Sequence, residues 1–353
     1  MVKKKRRFLY TAIAVICLIF LLWFLQALLM PKYTDDVIEG RLIGEYYDNA
    51  GGNDVIFIGD CEVYENISPI TLWEEYGITS YIRGSAQQLI WQSYYLLEET
   101  LTYETPDVVV FNVLAMMYDE PQSEAYNRLT LDGMKWSSSK WNAIQASMTD
   151  EEDAITYVFP LLRYHSRWSE LTIDDLTGIF VGQKSFHQGY MMRVDVRAVE
   201  SYPTQTPLAD YTFGDTAYEY LDKMTALCEE NDIDLVLMKA PSIYPYWYDE
   251  WDEQMEEYAQ EHDLLYINFL DVTDEIGIDY STDTYDNGLH LNLSGAEKLA
   301  SYFGAILQDT YGLTDHREEE ETAAEWQEKV DFYYEMEADQ YRELEEYGYL
   351  VSY

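Results

Sequence analysis

The chain opens with a basic run followed by a long run without charge. Residues 8–29 contain 22 residues and no charged side chain, and Gln26 is the only strongly polar one. A helix rises 1.5 Å per residue, so this segment would be about 33 Å long, enough to cross a hydrocarbon core of about 30 Å. The pattern predicts a transmembrane anchor over residues 8–29, preceded by a basic stub at residues 1–7.

The charges on either side of this segment predict its orientation. Five of the 22 basic residues lie in the first seven positions, so the other 17 face 66 acidic residues, a net charge of −49. Because basic flanks stay in the cytoplasm, residues 32–353 should lie outside the plasma membrane of a single-pass protein. A cleaved secretory signal is the alternative, although its apolar stretch would be shorter and would end in a small-residue cleavage site.

Beyond the anchor, short apolar runs alternate with amphipathic periods. Strands buried on both faces are predicted at 55–58, 108–111, 234–238 and 264–269, with a weaker candidate at 78–82. Helices are predicted at 89–101, 217–228, 251–258 and 294–307. Strands that alternate with helices are typical of an α/β fold with a doubly wound parallel sheet.

Two regions interrupt this alternation. Residues from about 117 to 212 are rich in aromatics and poor in strand signals, which predicts an inserted, mostly helical cap within an α/β domain at 54–312. A juxtamembrane segment at 30–53 precedes that domain. The acidic tail at 313–353 carries apolar residues at helical spacing, which predicts a helix. This helix either packs lightly on the domain or docks a partner.

The net charge of −44 for the whole chain excludes an electrostatically driven nucleic-acid binder, because phosphates would be repelled. A neutral glycan or a zwitterionic polymer fits this surface better than an anionic substrate. The sequence has no His-x-x-His or Cys-x-x-Cys pair and no calcium-loop spacing. We therefore predict no metal site and no cofactor.

Residues able to support acyl transfer fall where the predicted strands end. Cys61 follows the first strand, Gly84 the second and Asn112 the third, and His290 precedes the last helix. Ligands of parallel sheets gather at the carboxyl ends of the strands. A cysteine, a histidine and amide donors at that edge are the minimum for a nucleophile, a base and an oxyanion hole.

These positions resemble the sequence blocks of the SGNH (GDSL-type) hydrolases. Residues 54–61, Asp-Val-Ile-Phe-Ile-Gly-Asp-Cys, match the first block with Cys61 in place of serine, and residues 285–292 are similar to the Asp-x-x-His block. The resemblance implies a flavodoxin-like α/β/α fold. It also implies that the NH groups of Cys61 and Gly84 and the side chain of Asn112 hold an oxyanion.

The resemblance further implies that Cys61 attacks an acyl ester and that His290 carries the proton. In the family pattern an aspartate lies three residues before the histidine, but here that position holds Asn287, and Asp286 lies four before. Either the loop is one residue longer and Asp286 orients the histidine, or the site is Cys-His-Asn. An amide can suffice, because a thiol needs less help than a hydroxyl to ionise.

Two other interpretations of Cys61 stay open. It is an inactive remnant of a nucleophile position, or it forms a disulfide with Cys228, since both would face an oxidising exterior. Cys228 lies in an amphipathic period and is favoured as a core residue.

Other residues near the predicted strand ends and in the cap are candidate substrate contacts. These are Asp60, Lys239, Ser242, His165 and Trp168.

The sequence thus predicts a membrane-anchored, extracytoplasmic hydrolase or acyltransferase. Its substrate would be acyl esters of a cell-envelope polymer or glycan, and by resemblance a membrane-bound acyltransferase is a possible partner. The alternative is a catalytically inactive SGNH-like domain that binds an envelope glycan or such a partner.

Overall fold

A computed structural model of the chain describes residues 2–31, 34–180 and 186–351. The first element, α1 (Val2–Leu29), includes a stretch from Lys4 to Leu29 with a mean hydropathy of 2.8. Within the described residues it is the one helix long and apolar enough to cross a membrane. Helix α2 (Thr34–Asn49) follows and leads into the α/β domain.

Five parallel strands form one sheet in the order β2-β1-β3-β4-β5. They are β1 (Val55–Gly59), β2 (Ser80–Gly84), β3 (Val108–Asn112), β4 (Asp234–Lys239) and β5 (Leu265–Asn268). Strand β2 lies two residues later than its alternating pattern suggested, because its ends follow from pairing with β1, in which Val55 is opposite Ser80. The predicted parallel sheet is confirmed.

Helices cover both faces of this sheet, because its strands are apolar on both sides. Val55 and Phe57 point into one buried cluster, and Ile56 and Ile58 point into the other. The first cluster is closed by α3 (Cys61–Tyr64), α4 (Pro69–Tyr76) and α14 (Leu293–Tyr311). The second is closed by α5 (Ile90–Thr100), α11 (Asp215–Glu230) and α12 (Asp249–His262). The doubly wound arrangement is therefore confirmed.

The region predicted as a cap contains short helices and an irregular segment. The helices are α6 (Glu124–Leu131), α7 (Ser138–Ser147), α8 (Ala154–Val158), α9 (Leu161–Tyr164) and α10 (Ile173–Thr177). A third buried cluster joins the first three of them to α2 and α5 through Ile43, Leu96, Leu131, Ile144 and Tyr157. The irregular segment then runs beside β2, where the Ile82 NH donates to the Gln188 carbonyl.

After the short α13 (Thr273–Ile276), the chain ends in the long helix α15 (Glu320–Tyr347), which packs firmly on the domain. The indole of Trp326 stacks on Trp73 with ring centres 5.0 Å apart. The Tyr333 hydroxyl lies 3.1 Å from the Ser68 hydroxyl, beside α4. Gln340 donates to the Met192 carbonyl at 2.9 Å. The tail helix therefore closes part of the first core cluster.

Candidate active site

The turn from β1 into α3 holds Cys61 at the carboxyl end of the sheet. Asp60 is the N-cap of α3, and its carboxylate accepts a hydrogen bond from the Glu62 NH at 3.1 Å. Gly59 leaves no room for a side chain, since a Cβ there would lie 2.5 Å from Val63 and 2.9 Å from Asn112. Cys61 is the first residue of the helix and is partly exposed.

The predicted histidine is held by one carboxylate in two ways. Oδ2 of Asp286 lies 2.7 Å from Nδ1 of His290, and Oδ1 accepts the backbone NH of His290 at 2.8 Å. Asn287 instead accepts a hydrogen bond from the Glu200 NH at 2.8 Å. Of the two candidates for orienting His290, the structure brings Asp286 to the ring.

The loop between Asp286 and His290 makes a left-handed turn. Asn287 has φ of 70° and Gly288 has φ of 95°. Both are left-handed values that asparagine and glycine tolerate best. Asp286 reaches the imidazole across this left-handed turn.

A second carboxylate at His290 was missed by the sequence analysis. Oε2 of Glu65 lies 3.5 Å from Nδ1 of His290 and accepts a short hydrogen bond from the Tyr285 hydroxyl. Tyr285 also stacks against the imidazole with an interplanar angle of 17°. Glu65 lies four residues after Cys61, which is one helical turn, and this spacing was the available signal.

These contacts set the charge of His290. Burial opposes the imidazolium, but Glu65, Cys61 and Asp286 together raise the pKa of His290 well above its ordinary value of 6.5. Nε2 is buried, and a side-chain interaction with Cys61 is among the causes that raise the pKa of His290. Because Asp286 occupies Nδ1, Nε2 is the nitrogen left to exchange a proton with the thiol.

The thiol is shifted in the direction that keeps its proton. Burial, and then the charge of Asp60, raise the pKa of Cys61 to about 11, although His290 lowers it. The two shifts favour the protonated form of each group, a neutral thiol and an imidazolium. An activated cysteine would hold a thiolate instead.

Beneath the turn lies a buried polar network. Nδ2 of Asn112 donates to Asp60 at 3.0 Å and to Glu62 at 3.1 Å, and its oxygen accepts the Ala240 NH at 3.2 Å. Lys239 lies 2.8 Å from Glu62 in an ion pair with no exposed surface on either residue. Both amide hydrogens of Asn112 are thus engaged, and it would have to exchange them before it could hold an oxyanion.

The other two predicted oxyanion donors lie at the nucleophile turn itself. The NH of Cys61 donates no hydrogen bond within the part of the chain that the structure describes. Gly84 borders the turn, since a Cβ there would lie 3.1 Å from the Tyr64 ring and 3.3 Å from the Asp60 carbonyl. A side chain at that position would press directly on the nucleophile turn.

Three of the five candidate substrate contacts are buried in the structure. Lys239 and Ser242 are buried, the first in its ion pair and the second as acceptor of an Asn66 hydrogen bond at 3.0 Å. Asp60 is also buried and serves as a helix cap. His165 and Trp168 lie in the cap, and the structure gives them no part in the arrangement around Cys61.

Tyr118 is a neighbour of the site that the sequence analysis did not single out. Burial, and then the charges of Asp60 and Cys61, raise the pKa of its hydroxyl. It follows β3 and the 3₁₀ turn Val113–Met117, at the same carboxyl edge of the sheet as Cys61. Its position after a strand end was the signal that could have found it.

The second cysteine of the domain lies elsewhere. Cys61 and Cys228 are both free, so the disulfide interpretation is wrong. Cys228 is buried on α11 against the opposite face of the sheet. It lines a cavity of about 640 Å³ near the first residues of β4 and β5, Asp234 and Leu265, at the end of the sheet away from Cys61. That cavity is therefore separate from the candidate site.

No protein-family model and no curated protein matches this sequence. Solved structures that are similar to it include the following three. A protein described as lipolytic and of the G-D-S-L family from Desulfitobacterium hafniense is 15% identical with a TM-score of 0.36, over 72% of this chain and 100% of its own. A protein described as an acylhydrolase from Bacteroides fragilis is 11% identical with a TM-score of 0.39, over 80% and 100%. A GDSL-like lipase from Bacteroides thetaiotaomicron is 11% identical with a TM-score of 0.35, over 77% and 98%.

Proposed function

We propose that the chain is a membrane-anchored, extracytoplasmic enzyme of the esterase or acyltransferase type that acts through Cys61 and His290. The observation that carries the proposal is the pairing of His290 with Asp286 at the sheet edge where Cys61 begins α3. A histidine fixed through Nδ1 presents Nε2 to a nucleophile, which is the arrangement that acyl transfer requires.

The reaction has two steps. Sγ of Cys61 attacks the carbonyl carbon of an acyl ester while Nε2 of His290 takes the thiol proton, and the ester C–O bond breaks as the leaving alcohol receives that proton. Water or a second hydroxyl then attacks the thioester, giving its proton to His290, and the Cys61 thiol is restored. The free NH of Cys61 and the neighbouring Gly84 are the candidate donors to the oxyanion.

The protonation states predict when this site works. His290 must be neutral to accept the thiol proton, and its pKa is raised well above 6.5. Activity should therefore rise with pH as the imidazolium loses its proton, and should be low in mildly acidic solution.

The substrate class is argued from charge and from the anchor. A net charge of −49 beyond residue 30 opposes the approach of anionic substrates, which favours acyl esters on a neutral or zwitterionic cell-envelope polymer or glycan. An anchor over α1 would keep the domain beside such a polymer and beside a membrane-bound acyltransferase.

A second function is favoured by two specific observations. The raised pKa of the Cys61 thiol and the engaged amide of Asn112 both oppose turnover at this site. In that case the domain binds an envelope glycan or a membrane partner without turnover.

Acylation of the intact protein separates the two functions. The full chain in detergent is incubated with p-nitrophenyl acetate at several pH values, and intact mass with peptide mapping locates the acetyl group. The proposal expects an adduct on Cys61 that is absent in Cys61→Ala and His290→Ala and retained in Cys228→Ala, the matched control. An unmodified Cys61 at every pH would favour the binding domain.

A further inference from the structure

The part of the cap from the start of α9 to residue 180, just after α10, exposes several large apolar side chains. Leu162 is 52% exposed, Trp168 73%, Ile173 69% and Phe180 68%. Single exposed apolar residues are ordinary, but several that cluster along one short stretch mark a surface that another apolar phase covers. We call these four side chains the cap face.

The elements that carry the cap face contact the end of the apolar helix. Helix α9, the 3₁₀ turn His165–Ser169 and α10 each contact α1. Nη1 of Arg167 donates to the Leu29 carbonyl at 2.9 Å. Residues 13–23 of α1 are exposed, whereas residues 24–28 are half-buried and Leu29 is buried by this contact.

The position of this contact along α1 fixes its depth. The apolar stretch from residue 8 to residue 29 is about 33 Å long, and a hydrocarbon core is about 30 Å thick. If α1 spans the bilayer, residues 24–29 occupy its outer edge. Whatever packs against them lies at the level of the lipid headgroups and the first carbons of the acyl chains.

We propose that the cap face lies in the outer interface of the bilayer that α1 spans, which rests on the membrane anchor of the proposed function. Tryptophan is enriched at that depth because its ring is apolar and its NH is polar, and short amphipathic helices bury their apolar side there. The lipid surface is the occupant that the geometry favours, because the cap face adjoins the emerging end of α1.

The interface has a consequence for the orientation of the domain. The acidic surface of the domain is repelled by anionic lipid headgroups, so charge alone would lift it away from the membrane. Burial of the cap face opposes that repulsion through the hydrophobic effect. Together, α1 and the cap face attach the domain at two places and restrict its rotation relative to the bilayer.

Fluorescence quenching by lipid tests this directly. The full chain is reconstituted in nanodiscs of phosphatidylcholine and phosphatidylglycerol, with or without brominated acyl chains. We expect brominated lipid to quench part of the tryptophan emission, and that part to decrease in Trp168→Phe. Trp136→Phe is the matched control. Trp136 is 54% exposed and follows Lys135, whose NH donates to the Tyr47 hydroxyl. Tyr47 lies near the C-terminal end of α2, a helix about 24 Å long at about 1.5 Å per residue.

Trp23 inside α1 makes a failure of the anchor distinguishable from a failure of this inference. If Trp23→Phe removes a quenched component and Trp168→Phe does not, α1 spans the bilayer but the cap face does not enter it, and the inference is overturned. If neither substitution changes the quenching, the anchor itself is wrong. In a protein that keeps Trp168, the double substitution Ile173→Gln and Phe180→Gln should also reduce the quenching. Unchanged quenching in that double variant would contradict the inference independently.

Discussion

The loop that carries His290 and the turn that carries Cys61 both place negative charge beside a titratable group, and the two groups respond in opposite ways. Glu65 and Asp286 face the imidazole and favour its protonated, charged form. Asp60 precedes the thiol and favours its protonated, neutral form. The same sign of charge therefore keeps a proton on both groups.

Geometry and protonation are separate requirements of a nucleophile and its base. The His290 loop has the geometry of a base, with Nδ1 fixed and Nε2 left for the thiol. The pair still needs one proton removed before the reaction can begin. Substitutions that alter the surroundings of only one of the two groups show whether the site is a working pair at high pH or a structural remnant.

The largest loss of activity should come from removing the charge of Asp286, which orients the imidazole. Asp286→Asn should lower kcat for a small activated ester by about 10²–10⁴-fold, because the imidazole loses both its fixed tautomer and its charge partner. Asn287→Gly is the control, since glycine accepts the φ of 70° and only the hydrogen bond to Glu200 is lost. It should stay within a few fold of wild type.

Loss of activity in Asn287→Gly with little loss in Asp286→Asn would move the orienting role to Asn287. Both variants should keep their unfolding midpoint within a few degrees, measured by tryptophan fluorescence, so that a fall in kcat reports on the site.

The buried ion pair below Cys61 gives the next largest effect, on stability. Lys239→Met leaves the carboxylate of Glu62 buried without its cation, which should lower the free energy of unfolding by about 3–5 kcal/mol. The double variant Glu62→Gln with Lys239→Met should recover most of that loss, since glutamine can still accept the hydrogen bond from Asn112. Urea unfolding of the full chain measures both.

The pH dependence of that loss has a definite sign. Burial raises the pKa of Glu62 from 4.5 to about 7, although Lys239 lowers it. Removing Lys239 raises this pKa further, and a carboxyl with a raised folded-state pKa loses stability as pH increases above its unfolded value. The loss of free energy of unfolding in Lys239→Met should therefore be smallest near pH 4.5 and largest at pH 8. A loss independent of pH would mean that packing dominates and charge does not.

Glu65 is the carboxylate through which the pKa of His290 can be lowered. Glu65→Gln removes one of the charges that raise the pKa of His290, so the acid limb of kcat/KM should move to lower pH by about 1–3 units. Tyr285→Phe is the control, because it removes the hydroxyl and leaves both carboxylates in place. An unchanged acid limb in Glu65→Gln would show that Glu65 does not act on His290.

Much of this architecture was predictable from apolar periodicity. The runs at 55–58 and 108–111 lie within strands of the parallel sheet because residues buried on both faces leave no polar positions. The contribution of Glu65 was not predicted, since it depends on how one turn of α3 faces a loop more than 200 residues later. The ion pair of Lys239 was not predicted, because a lysine after a strand resembles a surface cation unless its buried partner Glu62 is known.

The choice between Asp286 and Asn287 shows the same limit. Spacing alone favoured neither, because a one-residue insertion can be absorbed by backbone geometry that the sequence does not specify. Asn287 and Gly288 adopt left-handed conformations here. The Asn-Gly pair was a turn signal, but it did not show that Asn287 would accept a hydrogen bond from the Glu200 NH while Asp286 reached the imidazole.

The smallest effect tests the charge beside the thiol. Asp60→Asn removes a charge that raises the pKa of Cys61 while keeping an acceptor for the N-cap hydrogen bond, so that pKa should fall from about 11 by about one unit. The measurement is the rate of alkylation by iodoacetamide against pH. A background of Cys17→Ala and Cys228→Ala leaves Cys61 as the single thiol of the chain.

Glu62→Gln is the matched control for this variant. Glu62 is as close in sequence to Cys61 as Asp60 is, but its charge is compensated by the ammonium of Lys239. Neutralising it should leave the alkylation profile of the thiol in place. Equal shifts in the two variants would mean that the thiol responds to the total charge of the turn. A shift confined to Asp60→Asn would show that the Asp60 carboxylate adds to the effect of burial in holding the proton on Cys61.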